Sequence, residues 1–184
     1  MIVWRLLPWQ PGAPSRSPGG ALWVPQELQG AGRHDNPDRY GCLYVSENPV
    51  SVVVESLASF RGAPMLTSGM LTRVGVRLAL AQLELHEDGK LIDLDNPLTL
   101  VDTELRPSEV ATGMRSVTQS YALRLFDAQP ELLGLRWWST IEASLINLTL
   151  FDRAQPELDV IDVTPLTVAD VVVREGADLL GLAT

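Results

Sequence analysis

An arginine, a tyrosine and a glutamate follow one another at intervals of eleven residues, as Arg33, Tyr44 and Glu55. Arg33 stands in a loop rich in Gly, Asn and Pro. Its planar guanidinium suits phosphate or carboxylate oxygens held by paired hydrogen bonds. Tyr44 lies in the apolar run Cys42-Leu43-Tyr44-Val45 and offers a ring face and a hydroxyl. Glu55 closes the run Val52-Val53-Val54. A charged carboxylate that is buried and unpaired is costly, so Glu55 requires a partner or a role. A second constellation is the stretch GLRWWST at 134–140. Its Ser139 either caps the turn that follows or presents a hydroxyl at the mouth of a cleft. On a strand, Trp137 and Trp138 face opposite sides. Covering apolar surface is the commoner use of such a pair. On spacing alone, Arg33 and Glu55 are more readily an ion pair tying a loop to a helix than parts of a site.

The elements that must position these residues are read from periodicity and punctuation. Ile2 to Leu7 reads as an edge strand ended by Pro8, and residues 8–20 as a loop of Pro, Gly and Ser. Ala21 to Val24 reads as a brief strand, and 28–41 as a second loop. Leu43 to Ser46 is a strand. Asn48 and Pro49 then cap and open a helix reaching about Phe60. Val50, Val53, Val54, Leu57 and Phe60 recur at helical spacing, which puts Glu55 at the border of the apolar stripe. Alternation marks strands over 74–80 and 83–85, with a hairpin turn at 87–90 and a return at Leu91 to Leu94. Residues 95–112 are mixed, with a short helix starting at Pro107. Arg115 to Gln129 reads as a helix, Leu135 to Trp138, Leu145 to Phe151 and Leu158 to Val163 as strands, and Thr167 to Glu175 as a final helix. Strands grouped in the middle with helices interspersed predict a single α+β domain over 1–184, with a central mixed or antiparallel sheet and flanking helices.

Composition narrows the function classes. The 184 residues are enough for one domain with a substantial core. Fourteen basic against 23 acidic residues give a net charge of −9, which argues against direct nucleic-acid binding. Lys90 is the only lysine, so Arg supplies nearly all positive charge. Cys42 is the only cysteine, which excludes an internal disulfide and a cysteine zinc site. His34 and His86 are far apart, so no metal is expected. The GxSxG elbow, GxGxxG and GKS or GKT are missing. The start of the chain does not read as a secretory leader, and no apolar run approaches the ~18–20 residues of a membrane span. A cytoplasmic protein without a membrane partner is therefore expected. The glycosylation triplet at Asn147 carries no weight without secretion.

Taken together, Val3-Trp4-Arg5, the Gly32-Arg33 loop, LYVSE at 43–47, the helical Glu55, GLRWWS at 134–139 and INLTLF at 146–151 resemble the RES domain family along essentially the whole chain. The resemblance implies a fold similar to ADP-ribosyltransferase toxins and the toxin half of a toxin–antitoxin pair. It implies NAD+ as substrate, degraded by hydrolysis or phosphorolysis at the nicotinamide–ribose bond. It makes Glu55, Arg33 and Ser139 the catalytic residues, with Arg33, Tyr44, Glu55 and Ser139 contacting NAD+. His34 takes the place of a Trp more common in the family's loop. Arg39 and Ser144 are the rival arginine and serine. The implied partners are NAD+, phosphate as an acceptor, and a separate antitoxin chain of the Xre helix-turn-helix type. A homodimer is a further expectation. Two other readings stay open: a protein ADP-ribosyltransferase using NAD+, and a binding domain without turnover.

Overall fold

The computed structural model describes residues 1–184, apart from the side chain of Asp88. Strand β1 (Ile2–Pro8) is followed by a long loop, then by β2 (Cys42–Ser46) and helix α1 (Pro49–Leu57). Asn48 starts α1 as expected: its Oδ1 accepts from Val50 N at 2.8 Å, and Pro49 occupies the first turn. A single 3₁₀ turn at Ala58–Phe60 completes the segment. Strands β3 (Thr72–Arg73), β4 (Val76–Leu85) and β5 (Leu91–Asp93) come next. Helices α2 (Pro97–Asp102), α3 (Pro107–Ala111) and α4 (Arg115–Ala128) follow. The chain ends with β6 (Gly134–Trp138), β7 (Ile146–Phe151), β8 (Leu158–Pro165) and α5 (Val171–Leu179).

Among the described residues the strands form an eight-stranded sheet in the order β3-β4-β1-β2-β7-β6-β5, with β8 also on β4. Every pairing is antiparallel except β5 with β6. The α+β class with a mixed, mostly antiparallel sheet is therefore as expected. The seam between β1 and β2 is narrow, with Trp4 opposite Ser46 as its register pair. Alternation divides the sheet into two faces. Leu43, Val45, Leu148 and Leu150 join Val3, Leu7, Leu83 and Leu85 on one face. Tyr44 and Ser46 on β2, with Asn147 and Thr149 opposite them on β7, belong to the other. Two helical groups cover this second face. Helices α1 and α5 pack around Val53, Val54, Leu57, Val173 and Ala177. Helices α2, α3 and α4 pack around Leu100, Val110, Tyr121 and Leu125.

Several local expectations give way to tertiary pairing. Strand β1 is interior, not an edge, because β4 pairs along all of Ile2–Pro8 while β2 meets its other side. The turn at 87–90 does not make a hairpin. Both edges of β4 are already used, by β1 and by β8, so β5 crosses to β6 and runs parallel to it from Leu91 opposite Gly134. Ala21 to Val24 is a turn, not a strand. The Arg5 guanidinium donates to the Ala21 and Trp23 carbonyls at 2.5 and 2.9 Å, taking the place of a ladder. The last helix begins at Val171 rather than Thr167, because the Asp170 carboxylate accepts from Thr167 N at 2.6 Å and closes a turn there. Helix α2 falls in the stretch read as mixed, with Asn96 and Pro97 repeating the start signal of α1.

Gly134 sits where β6 presses on β7. A Cβ there would lie 2.4 Å from the Thr149 carbonyl oxygen and 3.0 Å from Leu150 Cα, both backbone atoms. Gly134→Ala is expected to lower stability by about 1–3 kcal/mol through this overpacking. Denaturant unfolding measures it, and an unchanged midpoint would contradict so close a seam.

Candidate active site

Helix α1 turns Val52, Val53 and Val54 inward and Glu55 outward, so the carboxylate is exposed rather than buried among the valines. The desolvation penalty anticipated for it does not arise. Two donors instead fix one of its oxygens. Ser139 Oγ donates to Glu55 Oε1 at 2.7 Å, and Asn147 Nδ2 donates to the same atom at 2.9 Å. Oε2 carries no hydrogen bond among the described residues. Ser51 Oγ donates to Asn147 Oδ1 at 2.7 Å, which turns the amide N–H groups toward Glu55. Ser139 takes the capping role considered for it, since its Oγ also accepts from Ile141 N at 3.1 Å, but its hydroxyl is turned to Glu55 and is not presented at the mouth of the cleft. Only 1 % of Ser139 is exposed, so it supports Glu55 from behind.

The Arg33 loop is built on Asp35. Its Oδ2 accepts from Gly30 N and Gly32 N at 2.8 and 2.7 Å, and its Oδ1 from Tyr44 Oη at 2.6 Å. Gly32 is required by space: a Cβ would lie 2.5 Å from both Asp35 Oδ1 and Tyr44 Oη. Arg33 is only 6 % exposed. Its Nη1 donates to the Val110 and Thr112 carbonyls at 2.9 Å each, and its guanidinium lies 4.9 Å from the Trp137 ring centroid. Burial, followed by smaller effects that include the nearby Arg115 charge, pulls its pKa down from the usual arginine value. No ion pair joins Arg33 to Glu55 among the described residues, so the loop-to-helix tie considered from spacing is not how either is used. Burial first, then Cys42 and Asp35, pushes the Tyr44 hydroxyl well above its ordinary value, which keeps it a donor.

These side chains meet at a cleft of about 530 Å³ between the two helical groups, within the range of small-molecule sites. Arg33, Tyr44, Glu55, Arg115, Trp137 and Asn147 line it. Ser139 is not on the wall. The rivals lie elsewhere: Arg39 pairs with Asp127 at 2.7 Å on the surface, and exposed Ser144 bonds its neighbour Glu142. Asn147 and Arg115 were missed by sequence reasoning. The period of two in 146–151, polar at Asn147 and Thr149 and apolar between, was the available signal for the first. Arg115 had none beyond its charge at the start of a helix. Among the described residues, no group of three or more His, Cys, Asp or Glu is placed to hold a metal ion. No helix among them is long and apolar enough to cross a membrane.

Beneath the cleft lies His34, fully buried. Its Nδ1 is 2.7 Å from Thr149 Oγ1 and its Nε2 2.8 Å from Tyr121 Oη. Trp137 Nε1 donates to the same Thr149 oxygen at 3.1 Å. Burial, then the positive charges of Arg33 and Arg115, holds the His34 pKa well below the ordinary imidazole value.

A family model described as the RES domain matches residues 2–171. No curated protein matches the chain. Among solved structures, a chain from the crystal structure of the M. tuberculosis MbcT-MbcA toxin-antitoxin complex superposes with a TM-score of 0.64 at 16 % identity. The match covers 98 % of this chain and 88 % of that one, and shows a shared fold.

The two imidazoles are expected to part company on titration. Followed by NMR between pH 8 and 5, roughly the range where an ordinary imidazole titrates, His86 takes its proton early, because Asp159 at 3.0 Å raises its pKa. His34 stays silent. The unfolded chain protonates His34 below about 6.5 and the folded chain does not. This contribution to stability is therefore whole above that pH and is lost as pH falls below it, by up to about 1.36 kcal/mol per pH unit. Two titrating imidazoles would contradict the buried placement of His34.

Proposed function

The chain belongs to the RES domain family, and we propose that it acts as the toxin of a toxin–antitoxin pair by cleaving the nicotinamide–ribose bond of NAD+. The observation that carries this reading is the Glu55 carboxylate, held through one oxygen by Ser139 and Asn147 at the wall of a cleft that also presents Arg33. Nicotinamide leaves as a neutral molecule from a positively charged ring, and the ribose it leaves becomes oxocarbenium-like. Such charge is best stabilised by a carboxylate fixed beforehand beside the sugar. At ~4 Å and an effective dielectric of about 20, the attraction is about 4 kcal/mol. That is about three powers of ten in rate. The free Oε2 of Glu55 is the oxygen available to the ribose. Ser139 and Asn147 act as positioning residues that stop the carboxylate from swinging away.

The remaining wall fits the rest of the dinucleotide. Arg33 places a fixed positive charge toward the diphosphate. The Tyr44 hydroxyl is committed to Asp35, which leaves its ring to meet nicotinamide. Water or phosphate then accepts the ADP-ribosyl group at the carbon that nicotinamide vacates. In this reading the neutralising partner is a separate antitoxin chain, which is supported by the structural neighbour being part of a toxin-antitoxin complex.

Purified protein is expected to release nicotinamide from NAD+. Glu55→Gln, shown to be folded by its unfolding transition, should be slower by about a thousandfold. Phosphate-dependent release identifies phosphorolysis, and phosphate-independent release hydrolysis. Absence of release by folded, antitoxin-free protein, or undiminished release by the Glu55 variant, would overturn the reading. ADP-ribose label appearing on an added protein would move it to a protein transferase.

A further inference from the structure

Arg115 is the first residue of α4 and lines the same cleft. Its side chain is exposed and makes no hydrogen bond or ion pair among the described residues. That sets it apart from Arg33, Arg39, Arg136 and Arg153, whose guanidinium groups are all engaged. Its charge is close enough to disfavour the charged forms of both Arg33 and His34. Two arginines thus share one cleft wall with no carboxylate paired to either among the described residues. Glu55 is the acidic residue in that lining, and its Oε1 already belongs to Ser139 and Asn147. The Glu55 charge favours the charged form of Arg33, but one carboxylate faces two arginines, and an anion entering the cleft relieves the remaining repulsion.

The connections of Arg33 show why Arg115 stands where it does. By donating to the Val110 and Thr112 carbonyls, Arg33 holds the end of α3 and the segment leading into α4. Thr118 Oγ1 donates back to the Arg33 carbonyl, tying the first turn of α4 to the Arg33 loop. Nη1 of Arg33 is fully used in this bracing. Arg115 keeps all its donors, on a flexible stem, for a guest.

We propose that Arg115 is the residue that grips phosphoryl oxygens in the cleft, while Arg33 stands behind it as strut and fixed charge. The ligand's identity rests on the NAD+ reading above, which makes these oxygens the diphosphate of the dinucleotide. Free inorganic phosphate is the other source of the same chemistry.

Calorimetric titration of the full chain and of Arg115→Ala, with ADP-ribose and separately with inorganic phosphate, tests it. The variant removes an exposed side chain and is expected to keep the unfolding transition of the parent. ADP-ribose affinity should fall by about tenfold or more. A comparable loss confined to inorganic phosphate keeps the grip on phosphoryl oxygens and assigns them to the acceptor. Unchanged affinity for both ligands overturns the proposal, even if the parent protein releases nicotinamide. Conversely, anion binding that depends on Arg115 in a protein that releases no nicotinamide supports the proposal and overturns the NAD+ reading.

Discussion

The convergence of Ser139 and Asn147 on one oxygen of Glu55 is the interaction on which the site depends. The acceptor comes from α1. The donors come from the turn after β6 and from β7. No local rule links these three segments, so their meeting fixes how the helix sits on the sheet. The entry of α1 is set by Asn48 and Pro49. Its far side is held by α5, where Gly176 lets the two helices approach: a Cβ there would lie 2.8 Å from Val53 Cγ1. The strand side is held by the β6–β7 register, which puts Trp137 opposite Asn147. A carboxylate bound in this way is oriented before any ligand arrives, which is the preorganisation the proposed chemistry would require.

The floor of the cleft obeys a different constraint. His34, Thr149, Tyr121 and Trp137 bury polar atoms, which is tolerable only if each finds a partner. They find them in one another. Among the described residues no buried side-chain nitrogen or oxygen lacks a hydrogen bond. Keeping His34 neutral is part of the same solution, since a third positive charge beneath Arg33 and Arg115 would be repelled by both. The wall above is thus cationic on one side and carries Glu55 on the other. That separation suits a ligand with an anionic middle and an end that becomes cationic.

Much of this was legible in the chain. The Asn-Pro start of α1, the strand that became β7 and the strand containing Tyr44 were signalled locally and formed as expected. The same Asn-Pro signal at Asn96 and Pro97 went unread because the residues after it mix polar and apolar types. What could not be read was settled by distant partners. Strand β5 looks like the return arm of a hairpin, but the occupied edges of β4 send it to β6. Glu55 is legible at the border of the valine stripe, but the Ser139 and Asn147 donors that hold its carboxylate come from distant segments. Arg33 looks free to grip a ligand, until the Val110 and Thr112 carbonyls are seen to take its Nη1. Asn147 and Arg115 earn their places only through the fold.

The central claim is that the side chain at position 55 lies against the sugar whose bond to nicotinamide is broken. A crystal structure of the Glu55→Gln protein with NAD+ tests it most directly, because on the proposed reading the substitution slows turnover while keeping the shape of the site. The account predicts NAD+ in the cleft, its nicotinamide ribose hydroxyls hydrogen-bonded to the side chain at 55 and its diphosphate on the Arg33 and Arg115 wall. A dinucleotide bound elsewhere, or one whose nicotinamide ribose is turned away from position 55, would contradict it.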